Sequence, residues 1–182
     1  MNPTADDAQI DAYGWVRATL GLGGNVGDPV RAMDEALKRI DGHADCRVAI
    51  VSRLYSTPPW GRTDQPDFVN ACALIETRLS PQDLLELCLS IERELKRVRL
   101  ERWGPRTIDI DILTYADRDV STDTLAIPHP RITERAFVLV PLADIAPDLM
   151  IAGNSVEHWA NVIDHAGIAA KSDDGTWWRK GN

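Results

Sequence analysis

The chain has 182 residues, 44% of them apolar and 26% charged, with 20 Lys and Arg against 28 Asp and Glu. A single domain of that size buries roughly 70% of the surface its unfolded chain exposes, so it needs no disulfide or metal staple. The net charge of −8 argues against general attraction to nucleic acid or anionic lipid, and no apolar run is long enough to cross a bilayer.

Residues 1–14, MNPTADDAQIDAYG, are polar, acidic and aperiodic, and read as a loose leader. They lack the basic start and apolar stretch of a secretory signal. Cys46, Cys72 and Cys88 are odd in number and form no CxxC, so the expectation is buried, reduced thiols in a cytoplasmic protein. The main domain is expected over 15–152. Val16, Ala18, Leu20 and Leu22 alternate with Arg17, Thr19 and Gly21, which predicts a strand. GGNVGD follows as a loop, with Asp28 as N-cap and Pro29 as the first helical position. Val30, Met33, Leu37 and Ile40 recur at helical spacing and predict a helix over 29–41.

CRVAIVSRLYS, residues 46–56, predicts a second strand. After the proline-rich loop TPPWGRTDQPD, residues 68–78 predict a third. Ser80 and Asp83 form a capping pattern around Pro81, and Leu84, Cys88, Ile91 and Leu95 share a face, so a second helix is expected over 81–97. TIDIDILTY is a further strand, and its ADRD turn sends the chain towards a short strand at TLAI. PHPRITERAFVLVPLADIAPDL starts as a proline-limited loop and becomes a short helix near Ala136. The tail, 153–182, has one candidate helix capped by Ser155. There is no internal repeat, low-complexity tract or second domain. Two helices cannot cover both faces of a large sheet. The expected class is therefore α+β, a ferredoxin-like sandwich, mainly antiparallel, with helices packed on one face and extra C-terminal elements.

The chemistry concentrates in ERWGPRTIDIDIL. On a strand, Asp109 and Asp111 share one face while Ile108, Ile110 and Ile112 take the other. Like charges so placed repel, and a divalent cation such as Mg²⁺ would offset them. Read alone, DID fits a solvated strand face equally well. Six cations from Arg93 to Arg106 stand against three acids from Glu92 to Glu101, and Arg97, Arg99, Arg102 and Arg106 lie at or beyond the helix end. Guanidinium groups suit planar phosphate contacts, and carboxylates beside them are parts for phosphoryl transfer. GLGGNVG lacks the Lys-Ser/Thr of a P-loop and misses GxGxxG by one place; a turn with positive φ at Asn25 and Gly27 accounts for it. Asn70 lies on a strand, where it either bonds internally or reads the donor–acceptor edge of a heterocycle. Pro128 and Pro130 fix the aim of His129.

STPPWG with DQPDFVNA, then RVR with ERWGPRTIDIDIL, then IPHPRITERAFVLVPLADIAPDL closely resemble the 6-hydroxymethyl-7,8-dihydropterin pyrophosphokinase family of folate biosynthesis, from about Val16 to Leu149. The resemblance implies transfer of the intact pyrophosphoryl group of ATP to the pterin hydroxymethyl oxygen, leaving AMP. It implies that Asp109 and Asp111 hold two Mg²⁺ ions and that Arg97 and Arg106 engage the phosphates. Arg99 and Trp103 would lie in a closing loop, with His129 and Arg135 as further ATP contacts and Glu92 as a nucleotide-side carboxylate. Asn70 would read the pterin ring, helped by Thr57, Pro58 and Trp60. Phe68 and Phe137 would line the pterin pocket, with Phe137 stacking. The only partners expected are these small molecules, and the chain is expected to act as a monomer.

Three departures stand out. Gly24 occupies a position where the family usually has Ser, the stretch between Arg99 and Trp103 is one residue short, and the leader and the tail with Trp177 and Trp178 lie outside the resemblance. Two rival functions are a non-catalytic pterin or nucleotide binder and a metal-dependent phosphodiesterase. The presence of both the carboxylate pair and the pterin set opposes the first; net acidity opposes nuclease action in the second.

Overall fold

The computed structural model describes residues 13–59, 64–95 and 107–179. A long first strand, β1 (Val16–Gly24), runs two residues past the expected end, so Gly23 and Gly24 belong to the sheet rather than to the loop. The Asp28 side chain accepts the Arg31 amide at 3.0 Å and caps α1 (Pro29–Asp41). In the preceding turn only Gly27 has positive φ. Asn25 instead donates its amide to Gln65 Oε1 and the Pro66 carbonyl, at 3.0 and 3.2 Å.

The expected second strand divides into β2 (Cys46–Val51) and β3 (Tyr55–Thr57). Both pair with one edge of the ten-residue β4 (Phe68–Thr77), Val51 opposite Ala73 and Tyr55 opposite Asn70. Ser52 marks the break: its amide donates to the Cys72 carbonyl, while its hydroxyl accepts the Cys72 amide. Helix α2 (Pro81–Leu95) begins where Ser80 Oγ accepts the Asp83 amide, and the last two residues of its expected span lie outside the described residues. Strand β5 (Asp109–Tyr115) then pairs with β1. The register slips at Thr19/Leu20, leaving Leu113 as a bulge.

A small hairpin of β6 (Val120–Ser121) and β7 (Ala126–Ile127) leads to a 3-10 turn at Ile132–Glu134 and α3 (Ala136–Ala143). The pair β8 (Met150–Ile151) and β9 (Asn154–Ser155) precedes α4 (Val156–Val162), whose cap is Ser155 as expected. A final strand, β10 (Ala169–Ala170), was not anticipated. The main sheet runs β10-β3-β4-β1-β5, with β2 also on β4, and every pairing is antiparallel.

Strand alternation divides the interior. Val16, Ala18, Leu20 and Leu22 of β1, Val69 to Ile75 at every second residue of β4, and Ile110 and Ile112 of β5 face α1 and α2. Met33, Leu37, Leu84 and Cys88 close that layer with no measurable exposure, each large side chain contributing about 1.5–3 kcal/mol. The opposite face is covered by the extra C-terminal elements: Cys72 and Leu113 pack against Ile132, Val138, Leu142 and Val156. All three cysteines are buried free thiols, and burial pushes Cys88 up to about 12. Among the described residues, no helix is long and apolar enough to cross a membrane.

Candidate active site

The second sheet face carries the chemistry. Asp109 and Asp111 point to it because Ile110 and Ile112 are claimed by the helical layer. Asp109 pairs with Gly23 across the ladder, and Gly23 pairs on its other side with Asn70; Asp111, Gly21 and Cys72 form the next row. Two strand spacings of about 4.8 Å thus separate the carboxylates from Asn70, roughly 10 Å in all. The strand between them carries no side chains at Gly21 and Gly23, and its neighbours use that space: Leu113 lies over Gly21, where a Cβ would stand 3.4 Å from its Cδ2, and Asn70 lies over Gly23. A Cβ on Gly23 would stand 2.7 Å from Asn70 Oδ1.

Asn70 is buried and donates Nδ2 to Thr57 Oγ1 at 2.7 Å, which fixes the plane of its amide. Thr57 ends β3, with Pro58 next, so the β3 terminus borders the site beside Asn70. Phe68 is half-buried at the start of β4 opposite Thr57. Phe137, on the first turn of α3, packs into the Cys72 and Leu113 layer and so stands over the same face. Arg135 precedes it. Its guanidinium lies 5.7 Å from the Phe137 ring centroid and 3.8 Å from Asp111 Oδ2, linking the aromatic wall to the carboxylate side.

His129 is anchored by its amide, which donates to the Leu113 carbonyl at 2.8 Å, and its Nδ1 accepts the Arg131 amide. That bond leaves Nε2 to carry the proton of the neutral ring. Burial first, and the Arg135 charge second, lower its pKa below the ordinary value. Glu92 is buried and its Oε1 accepts the Ile110 amide at 2.6 Å, between the two aspartates. That bond holds the end of α2 against the acidic strand. Trp60, Arg97, Arg99, Trp103 and Arg106 lie outside the described residues.

Several site-forming residues escaped the sequence reading. Gly23 follows the last alternating residue, Leu22, and so reads as loop, although paired glycines in a strand signal close backbone approach. Asp144 at the end of α3 accepts Tyr55 Oη at 2.8 Å and two guanidinium bonds from Arg53, tying α3 to β3. Burial alone would raise the Asp144 carboxyl, but the hydrogen bonds from Arg53 and Tyr55 together with the Arg53 charge hold it below the ordinary value.

Asp109 and Asp111 are both partly exposed, and Asp111 is 45% open to solvent by side chain. All-oxygen donors at a fixed strand spacing, with room for waters and phosphate oxygens, fit Mg²⁺. Among the described residues there is no cluster of three or more His, Cys, Asp or Glu side chains that could hold a metal ion.

The family described as 7,8-dihydro-6-hydroxymethylpterin-pyrophosphokinase (HPPK) matches residues 19–147. A 2-amino-4-hydroxy-6-hydroxymethyldihydropteridine pyrophosphokinase of Methylorubrum extorquens is 51% identical over 152 residues, covering 84% of this chain and 96% of its own. The protein of the same name from Haemophilus influenzae is 43% identical, covering 78% and 88% respectively. Among solved structures, wild-type Plasmodium falciparum HPPK-DHPS with pteroate matches at a TM-score of 0.66 and 17% identity, over 81% of this chain. The chain spans only 42% of that longer protein, and the likeness is one of fold. The spread of the family match from β1 to the end of α3, together with relatives above 40% identity, means that this chain belongs to the 7,8-dihydro-6-hydroxymethylpterin-pyrophosphokinase family.

Proposed function

We propose that the chain transfers the pyrophosphoryl group of ATP to 6-hydroxymethyl-7,8-dihydropterin, giving AMP and the pterin diphosphate for folate biosynthesis. The observation that carries this reading is the placement on one sheet face of a fixed amide, Asn70, and paired carboxylates, Asp109 and Asp111, with glycine strand β1 between them. Asn70 uses one amide hydrogen on Thr57, and its second hydrogen and Oδ1 form the donor–acceptor pair that a pterin edge complements. Phe137 would stack on the ring, with Phe68, Pro58 and Trp60 closing the pocket.

A ring held by Asn70 places its 6-substituent towards β5. The hydroxymethyl oxygen attacks the β-phosphorus in line; its bond to phosphorus forms as the bond to the α-bridging oxygen breaks, and the hydroxyl proton is released. Asp109 and Asp111 would hold Mg²⁺, two ions by the family resemblance, which supply charge neutralisation on the triphosphate oxygens. His129, through Nε2–H, and Arg135 would donate to phosphate oxygens; the Arg131 amide on Nδ1 and the nearness of Arg135 to Asp111 support this role. Arg97 and Arg106 neutralise charge as it builds, and Arg99 and Trp103 exclude water that would divert the reaction to hydrolysis. Glu92 keeps Ile110, and with it both aspartates, in register. The chain is read as a monomeric cytoplasmic enzyme with no nucleic-acid or membrane partner.

The test is AMP release from ATP and Mg²⁺ with and without the hydroxymethyl pterin. Release only with pterin supports the reading. Release at full rate without it points to a phosphohydrolase, and no release in either case points to a binder.

A further inference from the structure

The family match ends at residue 147, yet the chain beyond it returns to the pterin side of the sheet. Strand β10 pairs with β3, Ala169 opposite Ser56 and Ala170 opposite Tyr55. The next residues continue the contact. Lys171 donates its amide to the Leu54 carbonyl at 2.7 Å, and the Ser172 hydroxyl accepts the Leu54 amide at 2.9 Å. Trp177 donates Nε1 to the Ser52 carbonyl at 2.9 Å. Trp178 is buried in the layer beneath the sheet, which anchors the segment. The fit is close: a Cβ on Gly175 would collide with the Val51 carbonyl oxygen, and one on Gly167 would come within 3.1 Å of Pro58 Cγ.

These contacts fall on the chain that has left the β2 ladder and not yet finished β3. A three-residue strand bonded along one edge frays readily, and Thr57, which orients Asn70, is its last residue. We infer that residues 167–178 are a pterin-site brace, in which Ser172 and Trp177 act as positioning residues. They hold Ser52–Leu54 so that β3 presents Thr57 to Asn70 and Pro58 to the ring. This inference rests on the proposed pterin chemistry. Asp144 secures the same stretch from α3 through Arg53 and Tyr55, so the brace adds a second, independent hold from the sheet edge.

Truncating the segment would also strip Trp178 from the core, so the test uses Ser172→Ala combined with Trp177→Phe. This pair removes the acceptor for the Leu54 amide, the donor to the Ser52 carbonyl and the Ser172 donation to the Asp174 carbonyl within the segment, and leaves the backbone unchanged. Steady-state kinetics are measured at a temperature where circular dichroism shows the variant folded, with wild type in parallel. The expected result is a pterin KM raised about tenfold, with kcat and the ATP KM within about twofold. Amide hydrogen exchange at Tyr55–Thr57 should also quicken in the free variant. An unchanged pterin KM, or equal increases for pterin and ATP, overturns the brace while wild-type turnover leaves the proposed reaction standing. Wild type with no pterin-dependent AMP sinks that reaction, and the brace with it.

Discussion

Gly23→Ala tests whether Asn70 needs the space over Gly23 to hold its position. Gly23 does not have positive φ, so alanine fits its extended backbone and the cost arises only from the added methyl. That methyl would lie 2.7 Å from Asn70 Oδ1, well inside the 3.4 Å at which ordinary contact begins. β1 is locked between two neighbours, so the Asn70 side chain must rotate. Rotation breaks the 2.7 Å bond to Thr57 and strains a buried amide. A lost buried hydrogen bond and an off-rotamer side chain together cost about 2 kcal/mol, or about 30-fold in pterin affinity. Titration with pterin beside a nonhydrolysable nucleotide measures this directly. ATP affinity should hold, and in an Asn70→Ala background the glycine change should add almost nothing. Pterin affinity within twofold of wild type, or an equal loss for ATP, would refute the reasoning.

Asp109→Asn and Asp111→Asn should each lower kcat at least about a hundredfold while pterin binding stays close to wild type; equal losses in both would make these residues structural. Arg106→Ala should slow single turnover by about a hundredfold or more, and an unchanged single-turnover rate would remove it from the mechanism. His129 has a folded pKa below its unfolded value because burial and Arg135 oppose its charge. The unfolded chain therefore binds its proton first as pH falls. Its contribution is complete above about pH 6.5 and is lost as pH drops through the folded pKa. Thermal midpoints between pH 7.5 and 5 should fall less steeply in His129→Gln than in wild type; equal slopes would contradict this.

Sequence alone made the first-face sandwich legible because its signals are local. Asp28, Ser80 and Ser155 cap where their spacing predicts, and the Ile-Asp alternation of β5 sorts two faces without help. What escaped depends on long-range partners. The break at Ser52–Leu54 has no turn residues; it exists because β4 carries two strands in succession and the tail supplies the bonds. Ala169–Ala170 has no strand pattern of its own and is a strand only beside β3. Asn25 was read for backbone freedom but serves through its side chain, since Gln65 lies 40 residues away. The bond from the Ile110 amide to Glu92 joins residues 18 apart in sequence, a contact that no spacing rule reveals.

The carboxylate side of the site is best tested by a crystal grown with Mn²⁺, a nonhydrolysable ATP analogue and the hydroxymethyl pterin, read by anomalous scattering. The account predicts manganese peaks bonded to both Asp109 and Asp111 and to triphosphate oxygens, with the pterin hydroxyl aimed at the β-phosphorus from across Gly23. Peaks away from that pair, or a pterin lying elsewhere than between Asn70 and β5, would contradict it.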